Sequence, residues 1–387
     1  MKLFENTEVA FALKTNAQLQ RAYFLFNLIQ HQPLVKVGSA LTNFALKLHL
    51  PIEGLIRTTV FDHFCGGVNE DDCLPIIETM HSIGKVHSVL DYSVEGKSSE
   101  KSFDETLEKI LKIINFCKEK EAIPFAVFKP TGFGRFALYQ KISEGKTLTE
   151  EEQEEWSRVE DRFHKVCKAA LEKDVPILID AEESWMQKAA DELIEELMEK
   201  YNTQKAIVFN TLQMYRHDRM DYLKALHEKA KEKNFHIGMK VVRGAYMEKE
   251  RERAEEKGYE SPICIDKKTT DENYDTAIRY MMDAPRMALF AGTHNEESSY
   301  LVMELAEKHN IKVDDTRLWF GQLFGMSDNI SYNVANQGYN VAKYLPFGPV
   351  RDVMPYLIRR AEENTSVAGQ TSRELNLINK ERKRRKQ

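Results

Sequence analysis

The feature that most constrains this chain is an alternation. After residue 85, short apolar runs alternate with longer amphipathic ones, and the pair recurs eight times. The short runs are Lys85–Tyr92, Phe125–Phe128, Pro176–Ile179, Ala206–Leu212, His236–Val242, Met287–Ala291, Arg317–Gln322 and Val341–Leu345. They are too short for buried helices and rich in β-branched or aromatic residues, so they read as strands buried on both faces. Between them, Ser102–Lys120, Glu150–Lys173, Ser184–Tyr201, Asp218–Lys233, Asn273–Met282, Glu296–His309 and Asp328–Gln337 carry helical periodicity. Eight strands alternating with helices predict a parallel α/β fold, a (β/α)8 TIM-type barrel. A doubly wound sheet is the competitor, but no Gly-x-Gly-x-x-Gly follows any strand. Residues 131–150 and 247–272 exceed ordinary barrel connections and read as lids or substrate loops.

The segment before the alternation has no strand. Ala10, Leu13, Leu19, Ala22, Leu25, Phe26 and Ile29 recur at helical spacing, a second run covers Val35 to Leu48, and 71–83 reads as a third helix. The expected division is a helical subdomain over 1–84, the barrel over 85–370 and a basic tail over 371–387. The tail, Lys380-Glu-Arg-Lys-Arg-Arg-Lys-Gln387, reads either as a solvated end or as a weak contact with an anionic membrane surface.

Composition narrows the classes. A net charge of −6 gives no nucleic-acid footprint. Five cysteines without paired spacing argue for a reducing compartment, and neither Cys-x-x-Cys nor His-rich spacing supports a metal site. No apolar run reaches membrane-spanning length and no signal-peptide pattern opens the chain, so a cytoplasmic location is expected, at most peripheral to a membrane.

Barrel chemistry sits at the C-terminal ends of the strands. The reading above puts Lys129 after the second strand, Asp180 and Glu182 after the third, Gln213 after the fourth, and Arg243, Gly244, Ala245 and Tyr246 after the fifth. Thr293, His294 and Asn295 follow the sixth, and Gln322 and Tyr344 close the series. Past the eighth strand, Pro346 and Gly348 make a turn, and Tyr356, Arg359, Arg360 and Glu363 then share one helix face. That pattern is either a solvated Arg/Glu face or a site for a small carboxylate, held by paired charge-assisted hydrogen bonds. No nucleophile with its base and no glycosidase-type carboxylate pair occupies these ends, which leaves the chemistry to a cofactor.

Six stretches carry a resemblance: Ile-Asp180-Ala-Glu-Glu, Thr-Leu-Gln213-Met-Tyr, Lys240-Val-Val-Arg-Gly-Ala-Tyr246, Gly-Thr293-His294-Asn295, Phe-Gly-Gln-Leu-Phe-Gly-Met-Ser-Asp328, and Tyr344 to Asn364. Over residues 125–370 the chain resembles the proline dehydrogenase family, whose barrel carries FAD. The resemblance implies oxidation of L-proline to 1-pyrroline-5-carboxylate by hydride transfer to the flavin. Electrons then pass to a membrane quinone, and a separate 1-pyrroline-5-carboxylate dehydrogenase takes the product. Arg359 and Arg360 would clamp the substrate carboxylate, with Glu363 holding one of them. Lys129 would approach from the opposite side, oriented by Asp180. Tyr246, Leu323, Tyr344 and Tyr356 would wall the ring. Gln213 would meet the flavin, Lys240 its N5, Arg243, Gly244 and Ala245 the pyrophosphate and ribitol, and Thr293 and His294 the adenine side.

Lys240 stands where relatives of the bifunctional type commonly have Arg; with Phe64-Cys-Gly-Gly it is similar to the eukaryotic-type branch. Hydroxyproline-oxidising relatives tend to carry a smaller residue at the position of Tyr344, which favours proline. Two other readings remain: a barrel lyase using Lys129 as a Schiff base, and a non-enzymatic ligand-binding barrel.

Overall fold

The computed structural model describes residues 2–31, 52–93, 98–366 and 370–386, with single residues at 33, 35, 38, 42 and 48; the side chains of residues 55, 361–366 and 370 lie outside the description. The helical run expected over Val35–Leu48 therefore falls mostly outside the described residues.

In chain order the main elements are α1 Asn16–Ile29, α2 Glu70–Ser82, β1 His87–Tyr92, α3 Glu100–Lys118, β2 Phe125–Phe128, α4 Phe136–Ser143, α5 Glu150–Lys173, β3 Ile177–Ile179, α6 Ser184–Tyr201, β4 Val208–Gln213 and α7 Arg219–Lys233. They continue with β5 Ile237–Val242, α8 Met247–Lys257, α9 Lys267–Met282, β6 Met287–Gly292, α10 Glu296–Lys308, β7 Leu318–Leu323, α11 Asp328–Asn336, β8 Val341–Phe347, α12 Met354–Ser366 and α13 Gln370–Arg384. The strands run in the order β1 to β8 around a closed parallel barrel, as the alternation predicts. Among the described residues no helix is long and apolar enough to cross a membrane.

The chain forms two compact units, Met1–Glu95 with Gln322–Gln387, and Gly96–Gly321. In the Gly96–Gly321 unit every residue of β2, β3 and β4 is buried; β2 and β3 are wholly apolar, and β4 carries the polar Asn210, Thr211 and Gln213. An aromatic layer fills the space between strands. Phe125 meets Phe209, Phe290 and Trp319 edge-on, with centroids 5.7, 5.4 and 5.1 Å away. Such contacts suit the ring quadrupole. A Cβ at Gly321 would stand 2.1 Å from the Phe290 ring, so only glycine admits that ring. The helices begin where the side chains dictate. Thr149 and Glu152 form a reciprocal capping box before α5, and Glu150, Glu151 and Glu152 place negative charge at its positive end. Both long connections contain helix. Residues 131–150 hold α4, and 247–272 hold α8 and the start of α9, which begins at Lys267 because Asp266 caps it through Thr269 N at 2.7 Å.

In the Met1–Glu95 and Gln322–Gln387 unit, β1 pairs with β8. The segment expected to be a basic tail forms most of α13. Its Leu375, Leu377 and Ile378 are buried with Ala10, Phe11, Leu19, Ala22 and Phe26. Most of its cations sit in the last turns, where they complement the helix C-terminus, and several are partnered. Lys380 meets Glu5 at 3.0 Å, Arg385 meets Glu381 at 2.7 Å, and Arg384 meets Glu381 at 2.8 Å and Glu8 at 3.4 Å. The apolar residues near its start outweigh the basic composition that made the segment look solvated.

Candidate active site

In the Gly96–Gly321 unit the strand ends carry the polar residues. Lys129 follows β2 and is half-buried, Asp180 follows β3, Gln213 ends β4 in a buried position, and Lys240 lies buried within β5. The structure joins two of them: Lys240 makes an ion pair with Asp180. The resemblance implies that Asp180 orients Lys129; in the structure its carboxylate accepts from Lys240, the β5 residue in register with Thr211 of β4 and Phe290 of β6.

Lys129 lies in the field of Glu182. Glu182 is buried, and both its oxygens are engaged: Thr131 N donates to Oε2 at 3.0 Å and Thr131 Oγ1 to Oε1 at 2.7 Å. Burial pushes the Glu182 carboxyl up to about 7, against the field of Lys129 and the Thr131 bonds. Glu182 stands in the expected position after β3, with no role assigned to it from its spacing. The available signal was the doubled acid, Glu182-Glu183, just past a strand end.

After β5, the Arg-Gly-Ala-Tyr motif divides its work. Arg243 donates to Asp271 Oδ1 at 2.6 Å, Thr293 Oγ1 at 2.8 Å and Ser298 Oγ at 2.9 Å, and lies over the Tyr274 ring at 4.4 Å. Three of its five donors are thus fixed. Burial works against the charge on Asp271, but hydrogen bonds from Lys267 and Arg243 hold its carboxyl below the ordinary value. Gly244 has φ +126, and a Cβ there would stand 2.5 Å from the Tyr215 ring, so the backbone runs flat over that ring as only glycine allows. Gly244 and Ala245 are exposed. Tyr246, half-buried, precedes α8, and its carbonyl accepts from Glu250 N at 2.9 Å. Glu250 then accepts from Ser184 N and Ser184 Oγ, each at 2.6 Å, which fixes α8 to the start of α6.

After β6, Thr293 is buried and Asn295 caps α10, accepting from Ser298 N at 3.1 Å. His294, between them, is half-buried. A guanidinium fixed in place, a buried lysine, a buried amide at Gln213 and an exposed Gly-Ala backbone form a donor set suited to a bound diphosphate and to a polar ring. Among the described residues no group of three or more His, Cys, Asp or Glu side chains gathers as a metal site.

In the Met1–Glu95 and Gln322–Gln387 unit, Leu323 ends β7 and Tyr344 is buried in β8. On α12, Tyr356 is buried, Arg359 and Arg360 are half-buried, and the Arg360 guanidinium lies over the Tyr356 ring at 5.4 Å. Leu323 and Tyr356 belong to one apolar cluster with Phe64, Met326, Val353 and Leu357. Arg360 therefore stands beside apolar ground. Glu363 lies on α12, its side chain outside the described residues.

A profile of the proline dehydrogenase family matches residues 74–373. The chain is 37% identical over 300 residues to the carbapenem antibiotics biosynthesis protein CarD of Pectobacterium carotovorum subsp. carotovorum, covering 77% of each. It is 31% identical over 385 residues to the mitochondrial proline dehydrogenase 1 of Dictyostelium discoideum, covering 88% of this chain and 67% of that protein. Among solved structures, proline utilization A from Bdellovibrio bacteriovorus inactivated by N-propargylglycine superposes with a TM-score of 0.72 at 22% identity, covering 84% of this chain and 36% of that one. The chain thus spans about a third of that protein's length, and the likeness is one of fold.

Proposed function

The chain belongs to the proline dehydrogenase family, and from that premise we propose that it oxidises L-proline to 1-pyrroline-5-carboxylate, the first step of proline catabolism, with FAD as cofactor. The observation that carries the reading in this chain is α12: two adjacent arginines beside a buried tyrosine, on the helix after β8. Arg359 and Arg360 bind the substrate carboxylate, a group that does not react, and use that binding to place the ring. Leu323, Tyr344 and Tyr356 wall the ring and keep water from it, Tyr246 completes the set, and Lys129 adds a positive charge for the carboxylate. Glu363 holds one arginine of the clamp.

FAD, when bound, supplies the acceptor for the hydride leaving the ring carbon. The donor set of the Gly96–Gly321 unit fits it. Arg243, Gly244 and Ala245 hold the pyrophosphate and ribitol, Thr293 and His294 the adenine side, Gln213 the flavin ring, and Lys240, fixed by Asp180, the region of N5. Lys240 presents a single ammonium where a guanidinium would bind in two places. The substrate amine reacts unprotonated, so the rate rises above neutral pH. A quinone takes the electrons on, a separate dehydrogenase consumes the product, and the protein works in the cytoplasm with at most a peripheral membrane contact.

The test is the visible spectrum of the purified protein before and after anaerobic L-proline. Flavin bands that bleach with proline, and far less with hydroxyproline, support the reading. Bands that survive proline overturn the substrate, and a protein that fails to take up FAD overturns the cofactor. Arg359→Met and Arg360→Met each raise the proline KM about 10- to 150-fold, from roughly 1.5–3 kcal/mol per charged contact. A near-normal KM in both removes the clamp.

A further inference from the structure

The turn after β7, Leu323 to Ser327, is held at most of its backbone polar groups. Lys343, wholly buried in β8, donates to Met326 O at 2.7 Å and Leu323 O at 3.4 Å. His63 Nε2 meets Gly325 O at 3.1 Å; burial lowers the His63 imidazole to about 3, so the ring is neutral and Nε2–H is the donor in this contact. Phe324 N donates to Tyr344 O at 2.8 Å. Ser327 N donates to Glu374 of α13. The turn needs this support. Gly325 has φ +81, and Ser327 has φ +49 with ψ 42, a left-handed conformation that a non-glycine residue holds only when its surroundings fix it.

The supports are themselves tied together. Asp328, the first residue of α11, pairs with Lys343 at 2.8 Å and with Lys14 at 2.9 Å. Burial opposes the charge on Asp328, and the two lysines nonetheless hold its carboxyl far below the ordinary value. Lys14, Asp328, Lys343 and Glu374 thus form one largely buried cluster fed from the N-terminal segment, α11, β8 and α13. None of this machinery reaches a substrate in the reading above, yet the turn it fixes begins at Leu323 and is bonded to Tyr344.

We propose that Glu374 is a positioning residue: by fixing the Leu323–Ser327 turn from α13, it sets the two walls that discriminate proline from a ring carrying a hydroxyl. The inference rests on the proline reading for Leu323 and Tyr344. A loosened wall admits the larger ring, so damage here changes selectivity, whereas general destabilisation lowers turnover of both substrates alike.

The experiment uses the full-length holoenzyme with an artificial electron acceptor. It compares kcat and KM for L-proline and 4-hydroxyproline in wild type, Glu374→Leu and Glu374→Gln, alongside flavin content and Tm. Glu374→Leu raises the proline KM more than it lowers kcat, and shifts the hydroxyproline-to-proline ratio of kcat/KM by about tenfold, the scale of one group in a pocket. Glu374→Gln restores wild-type selectivity, because an amide oxygen still accepts from Ser327 N. The proposal falls if Glu374→Leu keeps wild-type KM and selectivity, if both substrates lose equally, or if Glu374→Gln is as damaged as Glu374→Leu. A wild type whose flavin proline does not bleach overturns the substrate reading and this inference with it. A wild type that bleaches while Glu374→Leu matches it overturns this inference alone.

Discussion

Two strands each carry a buried lysine paired with an aspartate, and the pairs differ in who can reach them. Lys240 of β5 and Asp180 have side chains 7% and 18% exposed; Lys343 of β8 and Asp328 are 0% and 7% exposed. The first pair stands at the end of the barrel where strands finish. The second is walled in, and the Lys343 ammonium is directed at Asp328 and at two backbone carbonyls, which account for its three donors. The same residue types in the same pairing therefore do different work. The Lys240 pair keeps some exposure, while two carbonyl contacts tie the Lys343 pair to backbone. Burial of an ion pair is weak evidence of stabilisation in itself; in the sealed pair its value lies in the turn it specifies.

That contrast breaks most readily at Lys343. Lys343→Met leaves Met326 O without this donor, Leu323 O with Met326 N, and Asp328 with Lys14. It should cost about 3–5 kcal/mol in urea unfolding, the scale for stranding one partner of a buried pair. Lys240→Met should cost clearly less stability; if it is the more damaging to folding, the distinction fails. Its effect belongs in the chemistry: flavin reduction by proline slows about a hundredfold, as when one preorganised donor is removed from a reacting centre. Stopped-flow reduction within tenfold of wild type would move Lys240 to the scaffolding side.

Glu182 gives the smallest and most selective test, because it is sealed like Asp328 but lies in the field of the half-buried Lys129. Its carboxyl titrates near 7 in the folded chain and at the ordinary 4.5 when unfolded. The folded state therefore binds the extra proton between those values. The stabilisation is complete below about pH 4.5 and is lost as pH rises through 7. Wild type should lose on the order of 2 kcal/mol from this group between pH 5 and 7.5, and Glu182→Gln should flatten that part of the profile. Parallel profiles for the two proteins would show that Glu182 is an ordinary carboxylate.

The strands were legible because each is a local apolar run: Val341–Leu345 was expected, and Val341–Phe347 forms β8. The strand-end residues were legible for the same reason, since the end of a run is a position on a line. Pairings were not. Asp180 and Lys240 are 60 residues apart, and Ser327 and Glu374 are 47 apart, so no spacing rule joins them. α8 escaped because Met247–Lys257 is almost wholly charged, with only Glu250 and Ala254 buried. It is fixed by polar contacts, Glu250 to Ser184 and Lys249 to Glu183 among them, and has no apolar stripe to betray it. α13 escaped for the opposite reason: Leu375 and Ile378 supply a short stripe that the basic run after it obscures.

The interlocking of α1 with α13, and of β1 with β8, has a consequence in time. The Gly96–Gly321 unit is one continuous stretch and can complete its contacts as the ribosome releases it. The other unit pairs residues near 20 with residues near 375, and β1 with a strand some 250 positions later. Its early half must wait, with apolar faces such as Leu19, Ala22 and Phe26 uncovered, until α13 emerges. During synthesis the vulnerable species is thus a chain whose early apolar faces still lack their late partners, and that is where a chaperone would find its work.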